Sequence, residues 1–200
     1  YIPVSSFIYT LRYNGNKHFF LDYDTEETRK FFEHTYLDPT MTRDYTSNWA
    51  VTNTLGVSLL EGFHKYAKFG LAAYVTHQVR GYKQTADTLD RTDPELGLDP
   101  FPEGIGVIKP KETQQLAWVG AQLTKQRGSL LRYQATAELG FLGEAAGDIR
   151  LDGELSTRFA MLRDSLEIKA FGAFHNEEAP YLTKKYISNH FVWDLSLIHI

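Results

Sequence analysis

The feature that most constrains this chain is an alternation of apolar and polar residues with period two, repeated along most of its length. Side chains of a β-strand point to opposite faces in turn, so residues i, i+2 and i+4 share a face. The clearest stretch is 130–141, where Leu131, Tyr133, Ala135, Ala137, Leu139 and Phe141 alternate with Arg132, Gln134, Thr136, Glu138 and Gly140. The next stretch repeats it. Ile149, Leu151, Gly153, Leu155, Thr157, Phe159 and Met161 alternate with Arg150, Asp152, Glu154, Ser156, Arg158 and Ala160. On a helix the charged residues of these stretches would scatter around the axis; on strands they share one face.

Four further segments carry the same pattern: 49–60, 67–80, 115–124 and 165–175. Segments 4–13 and 186–193 read as terminal strands. The expectation is about eight strands, mostly of the ~9 to 11 residues that cross a bilayer at a tilt. The links between them are unequal. Those at 61–66, 125–129 and 162–165 are short, whereas 14–45 and 82–112 are long, and 143–147 and 176–184 are intermediate. Outer-membrane barrels have short periplasmic turns and longer extracellular loops. The short links are therefore expected on the periplasmic side.

Composition fits this reading. Hydrophobic residues make up 42% of the 200 residues, yet mean hydropathy is −0.35. No stretch reaches the ~18 to 20 apolar residues of a membrane-spanning helix. A barrel strand spreads its apolar residues over every second position, so low mean hydropathy does not argue against it. The apolar faces of the best strands carry no charge over their central length, which suits lipid better than a soluble sandwich needs. Aromatic residues reach 14%, and Trp49, Phe69, Tyr133, Phe141, Phe159 and Phe174 fall towards the expected strand ends, as in interfacial girdles. A net charge of −4 gives no electrostatic case for nucleic-acid binding. With no cysteine there are no disulfides, thiolate metal sites or thiol nucleophiles.

These patterns predict an all-β fold: an antiparallel, up-and-down transmembrane β-barrel, present in part as about eight strands of a larger barrel. Residues 1–194 are expected to form that single partial barrel, cut at both ends. The closing LSLIHI, 195–200, matches a reading frame of a sequencing-library adapter and is expected to be foreign to the fold.

Three segments carry a family resemblance: PVSSFIYTLRY near the start, NTLGVSLLEGFHKYAKFGL at 53–71 and YISNHFVWD at 186–194. In this order they resemble the "putative porin" family of Bacteroidota outer-membrane β-barrels. The resemblance spans most of residues 1–194. It implies an outer-membrane pore and transfers no functional residue, because the matching segments are structural.

Residue chemistry adds a candidate surface. Lys68, Arg80, Arg132, Arg150, Arg158 and Lys169 are expected to face the same way as Glu138, Asp152, Glu154 and Glu167. These ten would line a water-filled passage, or form a salt-bridge network inside a closed barrel. Charges of both signs argue against strong ion selectivity. His18, His34, His64, His77, His175, His190 and His199 show no compact ligand spacing. Asp87, Asp90, Asp93 and Glu95 lack the central glycine of a calcium loop. Ser188 and His190 would share a strand face, but neither GxSxG nor a phosphate-binding glycine loop is present.

The expectation is thus a channel for passive diffusion of small hydrophilic solutes, with no enzyme activity, no cofactor and no metal. Its surroundings would be outer-membrane lipid and lipopolysaccharide, with oligomerisation left open. The alternatives are the barrel portion of a plugged nutrient receptor, a structural or binding barrel without an open pore, and a soluble all-β domain.

Overall fold

The computed structural model describes residues 5–23, 30–62, 68–84, 97–102, 111–127, 130–161 and 164–195. Seven strands form one sheet: β1 Ser5–Tyr23, β2 Met41–Leu59, β3 Gly70–Gln84, β4 Lys111–Lys125, β5 Leu131–Leu142, β6 Ile149–Met161 and β7 Asp164–Asn176. Their order in the sheet is their order in the chain. Successive strands run antiparallel where β4, β5, β6 and β7 meet. This is the up-and-down sheet of a partial β-barrel. Two short strands, β8 Lys185–Ile187 and β9 Val192–Asp194, pair with each other as a separate hairpin after the one-turn helix α1, Tyr181–Lys184.

Three expectations are corrected. Residues 186–193 are not an eighth strand of the sheet. Ser188–Phe191 is a turn, with the Ser188 amide bonded to the Phe191 carbonyl at 2.8 Å, and the chain folds back on itself there. The 14–45 link is also shorter than expected and is strand at both ends, because β1 continues to Tyr23 and β2 begins at Met41. Asn14-Gly15-Asn16 has turn-forming chemistry, yet it lies within β1. Here Gly15 stays in the strand and the Tyr13 ring lies over it, its hydroxyl 3.2 Å from where a Cβ would stand. Such aromatic cover restores the contacts that a bare glycine forgoes. With β2 lengthened, Trp49 falls mid-strand, not at an end.

By contact density the chain divides into two compact units. One comprises 1–12, 51–79 and 114–178; the other 13–50, 80–113 and 179–200. The first holds most of β4 with all of β5, β6 and β7, in continuous register from Trp118 onward. Ala121, Ala137 and Leu151 are successive neighbours across it, as are Glu138, Arg150 and His175. Its small buried cluster is Leu116, Trp118 and Ala145. A register shift at Ala117/Trp118 brings β4 under the 3₁₀ turn Gly143–Ala145. Gly140 makes that crossing: its N–H reaches the Asp148 carbonyl at 2.9 Å, and Gly147 N–H returns to the Gly140 carbonyl at 3.1 Å. A Cβ on Gly140 would run into the Ala145 carbonyl oxygen. Gly140→Ala is expected to lower stability by about 1–3 kcal/mol through that overpacking, read as a drop in the urea midpoint of the refolded barrel.

The second unit has its own core of Tyr36, Leu37 and Ile187, with Phe101 and Val192 against it. Here the hairpin β8–β9 meets the 31–42 segment and the ends of β2 and β3.

Candidate solute-facing surface

The two faces of the sheet differ in kind. One carries large exposed apolar side chains: Phe7, Tyr9, Leu11 and Tyr13 on β1, Leu55 and Val57 on β2, and Leu71 and Val75 on β3. The same face continues through Val119 on β4, Leu139 and Phe141 on β5, Leu151 and Leu155 on β6, and Ile168 and Phe174 on β7. A soluble monomer rarely exposes a contiguous apolar surface of this extent. The opposite face is polar. Thr54 bonds Thr76 at 3.0 Å, Gln78 donates to Thr52 at 2.8 Å, and Gln122 donates to Thr136 at 3.3 Å. These are cross-strand ties between polar side chains on one side of the sheet.

Charged residues on this face form two groups. In the first, Arg150 is the centre. Its guanidinium grips Glu177 with two bonds, Nε to Oε1 at 2.7 Å and Nη2 to Oε2 at 2.8 Å, and reaches Glu138 Oε2 through Nη1 at 3.2 Å. The same guanidinium lies 5.2 Å over the Trp118 ring. Glu138 also accepts from the Tyr74 hydroxyl at 2.9 Å. Beside this, His175 Nε2 meets Asp152 Oδ1 at 3.0 Å. Tyr74 owes its place to Gly120, whose missing side chain leaves room for the phenol ring. In the second group, Arg158 pairs with Glu167 at 3.2 Å and Ser156 donates to the same carboxylate at 2.9 Å. Arg132, Glu154 and Lys169 lie with Ser156 and Glu167, and with Lys125 and Gln134, around a shallow groove.

Eight of the ten expected residues thus fall into two clusters. Arg80 stands apart, 5.7 Å over the Tyr82 ring. Lys68 lies ahead of β3, off the strand, and is exposed. The sequence reading missed Tyr74, Trp118 and Glu177, whose roles depend on cross-strand register. It also missed Phe171, which occupies the polar face opposite Glu154 and is 90% exposed.

Glu177 lies just beyond β7. The Arg150 hydrogen bonds hold its carboxyl below the ordinary range. A depressed folded-state value means that the contribution is full above the unfolded carboxylate range and is lost as pH falls through the folded value. Acidification is therefore expected to loosen the 177–180 corner before the strands, seen as faster amide exchange there. Glu177→Gln should make that local exchange insensitive to pH over the same window.

Ser188 and His190 do not form a dyad. The Ser188 hydroxyl accepts from Phe191 N–H at 3.0 Å, while His190 Nδ1 meets the His34 carbonyl at 2.8 Å and Nε2 meets Thr42 Oγ1 at 2.7 Å. His64, His199 and the acidic residues Asp87, Asp90, Asp93 and Glu95 lie outside the described residues. Among the described residues no group of three or more His, Asp or Glu side chains is arranged to hold a metal ion.

An all-β, up-and-down sheet with one exposed apolar face and one charged, hydrogen-bonded face is the architecture of a partial β-barrel. A family model described as "Putative porin" matches residues 1–200, and the chain belongs to that family. No curated protein and no solved structure matches it.

Proposed function

We propose that the chain is part of an outer-membrane channel through which small hydrophilic solutes diffuse passively. The observation that carries this reading is the segregation of the faces. Apolar side chains are exposed on one side of each of the seven sheet strands, and charges of both signs line the other side on β5, β6 and β7. The apolar side meets lipid and, in the outer leaflet, lipopolysaccharide. Further strands then complete the sheet, since open strand edges are not tolerated in hydrocarbon. On the polar side a solute exchanges its hydration for hydroxyl, amide and charged groups without a net field of one sign. The protein works by geometry and electrostatics, with no bond made or broken and no cofactor.

The test is single-channel recording of the full-length protein in a planar bilayer. Steady steps with weak ion selectivity are expected. A correctly folded, heat-modifiable barrel that stays silent would overturn the diffusion reading and favour a plugged receptor or a structural barrel.

A further inference from the structure

One side chain breaks the pattern of the polar face. On β7 the polar positions run Glu167, Lys169, Phe171, so a phenyl ring follows two charges on the same side of the strand. Phe171 is 90% exposed, and among the described residues no large apolar side chain is more so. Cross-strand pairing sets Glu154 opposite it and Gln134 beyond, in one row over three strands. The next row holds Arg132, Ser156 and Lys169. These five polar residues line the shallow groove described above, whose volume is about 420 Å³. That lies within the ~300–1,000 Å³ of small-molecule sites. The ring and the groove belong to the first compact unit.

A bare aromatic ring among hydrogen-bonding groups matches the two-sided chemistry of a sugar. The flat C–H face of a pyranose is apolar and weakly positive, and it stacks on the negative face of an aromatic ring. Its hydroxyls, each both donor and acceptor, then need polar partners at the edge of the stack. The groove supplies both kinds. The Glu154 carboxylate accepts, Lys169 and Arg132 donate, and Gln134 does both. Glu167, by contrast, is already engaged by Arg158 at 3.2 Å and Ser156 at 2.9 Å. Lys169 lies two residues from Phe171, about 7 Å along the strand, and Glu154 lies about 5 Å across. One sugar ring seated on the phenyl reaches both.

We propose that Phe171 and this groove form a subsite for a neutral pyranose sugar, with the phenyl ring under the C–H face and Glu154, Gln134, Lys169 and Arg132 on the hydroxyls. In naming the solute, this rests on the channel reading above. Charges of both signs hold hydroxyls without requiring a charge on the sugar.

The test is calorimetric titration of cellobiose into the full-length protein, folded in a detergent whose headgroup is not a sugar. Saturable binding is expected. Sorbitol, which has the hydroxyls but no ring face, should bind at least about tenfold more weakly. Phe171→Ala should weaken cellobiose binding about tenfold, whereas Phe171→Tyr keeps the ring and should stay within about threefold of native. Heat-modifiable gel mobility checks that each variant is folded. No binding by the native protein, equal binding by the alanine variant, or equal binding of sorbitol would each overturn the subsite. Single-channel recording with the same sugar separates this result from the channel reading. Conductance without sugar binding would overturn the subsite and leave the channel. Binding by a folded barrel that never conducts would uphold the subsite and overturn passive diffusion. In a conducting protein, cellobiose should lower the native current and leave that of the alanine variant nearly unchanged.

Discussion

Replacing Ala137 by arginine should cost the folded barrel about 2–4 kcal/mol, the penalty for a cationic side chain at mid-bilayer. Ala137 sits mid-strand on β5 between Ala121 and Leu151, on the apolar face, and is exposed. An arginine there meets no steric obstacle. In water the change would be close to neutral, so lipid alone supplies the cost. The control is its neighbour. Thr136→Arg places the same charge one residue away, on the polar face beside Gln122 and Asp152, and should cost less than about 1 kcal/mol. Urea titration of both variants refolded into lipid vesicles reads the difference. Equal costs at the two positions would sink the assignment of faces.

Asn189→Ala should be the second large effect. It strips partners from the Leu37 and Asp38 amides and from the Asp38 and Met41 carbonyls at a site closed to water. Each buried group left unsatisfied costs about 1–3 kcal/mol, and adjustment of the neighbours recovers part. The expected result is local opening: rapid amide exchange and protease cleavage within 34–42 and 185–194, with β4 to β7 still protected. Asn189→Asp keeps the acceptor and loses the donor, so it should fall between alanine and the native residue. Protection unchanged in the alanine variant would show that Phe32, Gln84 and Tyr82 hold the segment without it.

The middle of the fold was legible because its signal is local. In β5 every second residue is apolar over the whole strand and β6 departs from this only at Gly153 and Thr157, and the structure keeps both strands within a residue or two of the expected limits. The ends were harder. Asn14-Gly15-Asn16 carries turn chemistry that a neighbouring ring overrides, and nothing local announces that Tyr13 will cover the glycine. The 186–194 segment has alternating residues, yet Asn189 and His190 prefer partners more than 140 residues away. Period two alone cannot distinguish a strand from a turn built on distant contacts. The candidate surface divides the same way. Parity placed Glu138, Arg150, Asp152 and Glu167 on one face. Register, which sets Glu138 beside Arg150 and within reach of Tyr74, is a property of pairing that no single strand contains.

The aromatic-over-glycine pairs have a consequence for how such a chain can change through descent. The Trp49 ring occupies the volume that a side chain at Gly81 would need, as Tyr74 does for Gly120. Neither partner is free to vary by itself. A side chain can arise at 81 only in a background where 49 has already become small, and the intermediate with neither ring nor side chain leaves a void between β2 and β3. Among relatives these positions should change together or not at all, so that a coupled pair of substitutions marks a strand pairing even where the hydrophobic pattern has faded.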